Sequence, residues 1–261
     1  MPPVMGSTLE GRTALVTGGG RGIGEAIARA LAAAGAKVVV TGRDEEAIGR
    51  VAADIDGRAF RADLADRRST DELIDAIART AELDEIDILV NNAGIALSAP
   101  LAKVTDDDWD RTIAINMTSA FRLSRAYVPP MAKRGWGRLV NIASNAGVSG
   151  YRYTSAYCAS KHGMVGLTRA LAVDLGPTGV TANAICPGWV DTDMGTAAVE
   201  RIADKTGRSV REAREALEKM SPQRRFITAS EIAEVTLMLC GEGGRGINGQ
   251  TLVIDGGAVL K

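Results

Sequence analysis

The sequence predicts one α/β domain, residues 1–261, built on a doubly wound, parallel, seven-stranded sheet. Short apolar runs alternate with helical patterns along the chain, at 13–17, 37–41, 58–62, 86–91, 138–143, 180–186 and 251–254. Three of them, Val38-Val39-Val40, Ile88-Leu89-Val90 and Leu139-Val140-Asn141-Ile142, are nearly continuous in apolar character, as strands covered on both faces are. A glycine-rich turn joins the first run to the first helical pattern. With 261 residues, 46% of them hydrophobic, the chain can bury one large core without a second domain.

The first strand runs into Thr17-Gly18-Gly19-Gly20-Arg21-Gly22-Ile23-Gly24, and a helical pattern follows from Ile23 to Leu31. Glycines allow positive φ and close approach of a pyrophosphate, and a helix N-terminus supplies free N–H groups and partial positive charge. Taken alone, such a turn is also an ordinary strand-to-helix connection. The second strand ends at Thr41-Gly42-Arg43 with no acid of its own, and Asp44-Glu45-Glu46 reads as the N-cap and acidic first turn of the next helix. The third run leads to Asp63 and Leu64. The fourth closes on Asn91-Asn92-Ala93-Gly94, a turn stabilised by side-chain to backbone hydrogen bonds. The fifth ends at Ser144 and the sixth at Pro187-Gly188. Parallel sheets bind ligands beyond the C-terminal ends of their strands, where Gly18, Arg43, Asn92 and Ser144 all fall.

Lys161 follows Tyr157 by four residues, and Ser144 precedes the tyrosine by thirteen. Positions i and i+4 share a helix face, which places the Lys161 ammonium beside the Tyr157 phenol. A cation there favours the phenolate and brings a group of ordinary pKa ~10 within reach of neutral proton transfer. The pattern predicts a general acid/base. Isolated, the same spacing is an ordinary surface pair, so its weight comes from the motifs around it.

With Thr17-Gly18-x-x-x-Gly22-x-Gly24, Asn91-Asn92-Ala93-Gly94, Asn116, Ser144, Tyr157-x-x-x-Lys161 and Pro187-Gly188 in that order, the chain resembles the classical short-chain dehydrogenase/reductases over essentially everything after its first ten residues. The resemblance implies a Rossmann-type fold, a nicotinamide cofactor and a catalytic set of Asn116, Ser144, Tyr157 and Lys161. It places Gly18, Gly20, Arg21, Gly22, Ile23 and Gly24 at the cofactor phosphates, Asp63 and Leu64 beside the adenine, and Asn91, Ala93 and Gly94 along the adenosine ribose. Pro187, Gly188, Val190 and Thr192 would flank the nicotinamide. In this scheme Ser144 and Tyr157 polarise a carbonyl, Tyr157 delivers the proton, and Lys161 stabilises the phenolate and holds the nicotinamide ribose. Asn116, through its carbonyl and a local bend, holds a water. Residues 191–222 would form a mobile lid, with Val148, Tyr151 and Tyr153 at the entrance.

At the end of the second strand an acid holds both ribose hydroxyls of NAD, whereas an arginine pairs with the 2′-phosphate of NADP. Arg43, with Arg21 as a second cation, favours NADP(H); NAD(H) stays open through Asp44. The substrate is a small-molecule carbonyl or alcohol, and the closest likeness is to 3-oxoacyl thioester reductases, polyketide ketoreductases and 3-hydroxybutyrate-type dehydrogenases. Among substrates, 3-oxoacyl thioesters come first, with β-keto acids or esters and cyclic or aromatic ketones as alternatives. Carrier-protein-dependent relatives place arginines at positions matching Gly135 and Thr178. Their absence argues against a carrier-protein partner, with Arg134 and Arg138 as nearby substitutes. The resemblance also implies a homotetramer, pairing the helices Trp109–Met131 and Ser155–Leu175 and the C-terminal strand. A non-catalytic dinucleotide-sensing protein of this kind would have lost the tyrosine or the lysine, and both are present here.

Net charge is −1, from 31 basic and 32 acidic residues, which provides no field for nucleic acid or an anionic membrane. No apolar run approaches ~20 residues, so a soluble protein is expected. Residues 1–10 read as a flexible N-terminus rather than a signal peptide, with the cytoplasm as the expected location. Cys158, Cys186 and Cys240 lack the spacing of a metal site and read as small apolar fillers. His162 projects about 100° away from Lys161 around the helix and is given no catalytic role.

Overall fold

The computed structural model describes residues 9–83 and 85–259. Seven parallel strands, β1 (Thr13–Thr17), β2 (Lys37–Gly42), β3 (Arg58–Arg61), β4 (Ile88–Asn91), β5 (Gly137–Ile142), β6 (Val180–Pro187) and β7 (Thr251–Ile254), stand in the order β3-β2-β1-β4-β5-β6-β7. The order reverses between β1 and β4, and there the loops leave the sheet in opposite directions and open a crevice. Helices α1 (Gly22–Ala33), α2 (Glu45–Asp54) and α9 (Ala229–Cys240) pack on one face. Helices α3 (Arg67–Ala78), α5 (Ser119–Arg134) and α6 (Ser155–Leu175) pack on the other.

The uninterrupted apolar runs are explained by this double cover. Ala14, Val38, Val40, Ile88, Val90, Val140 and Ile142 point into one core, and the intervening Leu15, Val39, Leu89 and Leu139 point into the other. The two edge strands are less covered: β3 is mostly exposed and β7 is half-buried.

The helical stretch expected from Trp109 to Met131 is not one regular helix. Helix α4 (Asp106–Ile113) passes through a π turn at Ala114–Thr118 before α5 begins. Asn116 in that turn bonds both backbone groups of Ile95, through Nδ2 to the carbonyl at 3.0 Å and through Oδ1 from the N–H at 2.9 Å. A side chain anchored that firmly outside the helix accounts for the local widening. The segment 191–222 folds as α7 (Asp193–Thr206) and α8 (Val210–Glu218), whose Val199, Ala203, Ala213 and Leu217 cluster on Phe226. The flexible N-terminus expected for residues 1–10 falls mostly on 1–8, outside the described residues. Leu9 itself is buried and its N–H bonds the Ala34 carbonyl at 2.7 Å. No described helix is long and apolar enough to cross a membrane.

At the end of the sheet opposite the crevice, Asp87 accepts from the Thr13 N–H at 3.1 Å and pairs with Arg12 at 3.5 Å and Arg134 at 3.3 Å. It thereby ties the start of β1 to β4 and to the end of α5. Asp87→Ala is expected to cost about 2–3 kcal/mol in urea unfolding, because it leaves partly buried donors unpaired. Turnover per folded molecule should stay within about twofold, since the site lies at the far end of the strands.

Candidate active site

The glycine turn is shaped by its neighbours across the crevice. Asn92 Nδ2 donates to the carbonyls of Thr17 at 2.8 Å and Gly18 at 3.3 Å, while Thr17 Oγ1 accepts from the N–H groups of Asn92 and Ala93, each at 2.9 Å. A Cβ at Gly24 would collide with the Gly18 carbonyl oxygen, so α1 can begin this close to β1 only with glycine there. No side chain caps α1; its N-cap, Arg21, has extended backbone and makes no capping bond. The first-turn N–H groups of Gly22, Ile23 and Gly24 therefore face the crevice without an intrahelical partner. Thr192 lies against Gly22, bringing the segment after β6 over the same loop.

Two exposed guanidiniums, Arg21 in the glycine turn after β1 and Arg43 just beyond β2, have no ion pair or side-chain hydrogen bond among the described residues. Arg61 Nε bonds the Arg43 carbonyl at 3.3 Å and adds a third cation to the rim. Asp44 caps α2, accepting the Ala47 N–H at 3.1 Å, as its sequence context indicates. Asp63 accepts from the Ala65 N–H at 3.0 Å just beyond β3, and Leu64 beside it is buried. The Asn91 side chain turns into the sheet, donating to Asn141 Oδ1 at 2.9 Å, so any contact it makes in the crevice falls to its backbone. Gly94 sits where a Cβ would lie 3.3 Å from Asn116 Oδ1 and 3.5 Å from Lys161 Nζ.

Lys161 and Tyr157 share one face of α6 as their spacing requires, with Nζ 5.9 Å from the phenol ring centroid. Lys161 is 3% exposed, donates to the Ile142 carbonyl at 2.8 Å and has no carboxylate partner among the described residues. Burial pulls its pKa down to about 8. Burial pushes the Tyr157 phenol up, against the hydrogen bond it makes with Ser144. The sequence argument for a lysine-lowered phenol is thus corrected: at 5.9 Å the cation does not overcome desolvation, and the tyrosine is held as a neutral donor. Ser144 Oγ accepts from the Ala146 N–H at 3.1 Å, which aims it toward the phenol. Pro187 and Gly188 end β6 against Ile254 and Asp255, and Val190 continues into a bridge with Ile227.

Other residues of the site are invisible as motifs. Ser160, fully buried, accepts from Asn116 Nδ2 at 3.0 Å and donates to the Tyr157 carbonyl at 2.7 Å, locking the π turn to the tyrosine's helix. Asn145 and Asp255 line a narrow cleft beside Ser144, walled also by Trp189, Leu217 and Met220. Of these walls, the resemblance implied only Tyr151 and the segment 191–222, which contributes Leu217 and Met220. Arg134 and Arg138, the two arginines considered above, are both engaged within the chain. Arg138 is 2% exposed and stacks on Trp136 at 4.4 Å, and Arg134 pairs with Glu85 and Asp87. His162 is exposed and bonds the Cys158 carbonyl, while Cys186 and Cys240 are buried thiols held neutral at about 11 and about 12.

The buried lysine yields a stability test. Below about 8 it is charged in folded and unfolded chains alike, and the full cost of burying the charge is present. Between about 8 and its ordinary 10.5 the folded chain carries fewer protons than the unfolded one, so stability rises with pH. Relative to Lys161→Met, the wild type should gain up to about 1.4 kcal/mol per pH unit across that window, read from urea midpoints at stepped pH. A difference that stays flat would show that the ammonium is not desolvated.

A family model described as Enoyl-(Acyl carrier protein) reductase matches residues 18–259. D-beta-hydroxybutyrate dehydrogenase of Cupriavidus necator is 41% identical over 258 residues, covering 97% of this chain and all of that protein. D-threitol dehydrogenase of Mycolicibacterium smegmatis is 39% identical, covering 97% of this chain and 95% of its own. The crystal structure of the F189W actinorhodin polyketide ketoreductase with NADPH superimposes with a TM-score of 0.89 at 35% identity, over 95% of this chain and 97% of that one. With the fold, the crevice and these likenesses together, the chain belongs to the classical short-chain dehydrogenase/reductases, as an oxidoreductase acting on CH–OH groups.

Proposed function

We propose that the chain interconverts a ketone and a secondary alcohol with NADP(H), and that its substrate is a 3-oxoacyl thioester or a related β-keto compound. The observation that carries the reaction is the buried, carboxylate-free Lys161 on one helix face with a Tyr157 phenol that Ser144 hydrogen-bonds. The relatives named above are dehydrogenases of a hydroxy acid and a polyol and a polyketide ketoreductase, whose common chemistry is this interconversion.

The crevice fits a dinucleotide. Gly18, Gly20, Arg21, Gly22, Ile23 and Gly24 would hold the phosphates on the uncapped start of α1. Asp63 and Leu64 would flank the adenine, the backbones of Asn91, Ala93 and Gly94 the adenosine ribose, and Pro187, Gly188, Val190 and Thr192 the nicotinamide. When bound, the nicotinamide supplies or accepts the hydride. Arg43 and Arg21, unpaired at the ribose end, favour the 2′-phosphate, and Asp44 is already committed to capping α2.

In the reductive direction Ser144 and Tyr157 donate hydrogen bonds to the carbonyl oxygen, whose negative charge grows as the carbon is reduced. Tyr157 then passes its phenolic proton to that oxygen. Lys161 stabilises the phenolate left behind and holds the ribose hydroxyls, and the Asn116 carbonyl keeps a water through which the proton is replaced. The chain's partners are then its small-molecule substrate and its own copies. We assign a homotetramer, supported by the accessible edge strand β7 and by exposed Trp109, Phe121 and Val173 on α4, α5 and α6. A carrier protein is not among the partners we assign, and the cytoplasm is the location we assign.

Turnover of acetoacetyl-CoA with NADPH, followed by cofactor absorbance, tests the reading; activity confined to NADH, or to a cyclic or aryl ketone, would replace it with a catabolic alcohol dehydrogenase. Tyr157→Phe should lower kcat by about 10³-fold while NADPH still binds, as fluorescence titration would show. Arg43→Glu should shift the NADPH-to-NADH ratio of kcat/KM by about 100-fold toward NADH, through the loss of a charge-assisted pair and the gain of a repulsion.

A further inference from the structure

The cleft beside Ser144 carries a charge pattern that bears on substrate choice. Asn145 follows the catalytic serine directly, and its Oδ1 lies 3.5 Å from Ser144 Oγ. Its Nδ2 reaches Asp255 Oδ2 at 3.4 Å. Tyr151, half-buried on the same wall, hydrogen-bonds the Asn145 side chain, and the nearby Asp255 charge together with burial raises its pKa. The phenol is therefore a neutral donor at every working pH. Asp255 is 5% exposed, accepts from the N–H groups of Gly257, Ala258 and Val259 at 2.9–3.1 Å, and has no ion pair among the described residues. The one cation lining the cleft is Arg225, and its guanidinium is already matched to both Glu231 oxygens at 2.7 and 2.6 Å and to the Phe226 carbonyl at 3.2 Å. Lys161, the other cation nearby, is bound to the Ile142 carbonyl.

Among the described residues, the cleft therefore presents neutral hydrogen-bonding groups backed by a hydrogen-bonded carboxylate with no ion-pair partner, and its one lining cation, Arg225, is already paired. A carboxylate entering it would surrender hydration and meet a like charge several ångströms away. At the effective dielectric of a protein rim this amounts to a discrimination of about 100-fold. An ester or thioester carbonyl suffers neither penalty and can accept from Tyr151 or Asn145.

We propose that Tyr151 and Asn145 are specificity-determining residues that receive an uncharged hydrogen-bonding group next to the reacting carbonyl, so that β-keto esters and thioesters are substrates and the free β-keto carboxylate is rejected. The proposal rests on the carbonyl-reducing function assigned above.

The test compares kcat/KM for ethyl acetoacetate, acetoacetate and cyclohexanone in the wild type, Tyr151→Phe and Tyr151→Arg. The ester should exceed acetoacetate by about 100-fold in the wild type. Tyr151→Phe should lower the ester-over-cyclohexanone preference about tenfold, chiefly through KM, by removing one donor. Tyr151→Arg, which supplies the missing cation, should shrink the ester-over-acetoacetate ratio about tenfold or more. Wild-type turnover of acetoacetate as efficient as that of the ester would overturn the proposal while leaving the carbonyl-reducing function standing. So would a ratio that neither variant moves. No turnover of any of the three with either cofactor would overturn both.

Discussion

The structure depends on the bonding between Thr17 and Asn92 across the point where strand order reverses. Two loops that part in opposite directions expose backbone groups that have no strand neighbour, and buried unpaired amides are costly. The Thr17 hydroxyl satisfies two N–H groups of the β4 loop, and the Asn92 amide satisfies two carbonyls of the β1 loop. The crevice can therefore stay open without frustrated backbone, and the glycine turn is held at the separation a ligand needs. The proposed phosphate-binding turn and the Asn92-Ala93-Gly94 loop inherit their relative position from these four bonds.

The reacting groups rest on a different principle. Burial works against charge on both Lys161 and Tyr157: it pulls the first down to about 8, which leaves it protonated at neutral pH, and pushes the second up. Neither is stabilised by a counter-ion in the free protein. A developing negative charge on a substrate oxygen supplies what the lysine lacks, so the site is polarised toward the transition state rather than toward its own resting form. The lock from Asn116 through Ser160 to the Tyr157 carbonyl keeps that geometry from relaxing.

Fold class was legible because hydrophobic period and glycine placement are local. The catalytic pair was legible because helical spacing fixes which side chains share a face. What escaped is what depends on distant pairing. Asn92 meets Gly18 across 74 residues, Asn116 meets Ser160 across 44, and Asn145 meets Asp255 across 110. No periodicity encodes such meetings. Spacing also says nothing about burial, which sets the direction of the Tyr157 shift and encloses Arg138 between Trp136 and two carbonyls. The cofactor contacts come from the family resemblance, since no single residue spacing marks where an adenine or a nicotinamide lies.

The π turn at Ala114–Thr118 bears on how this chain can vary over evolutionary time. One residue more than an α-helical path requires is held there by the Asn116 anchor. A one-residue deletion is absorbed by the turn closing to α-helical pitch, so α5 keeps Leu123, Val128 and Met131 facing the core. What the deletion removes is the outward swing that sets Asn116 against Ile95 and Ser160. The core can therefore tolerate a change of length here that the site cannot.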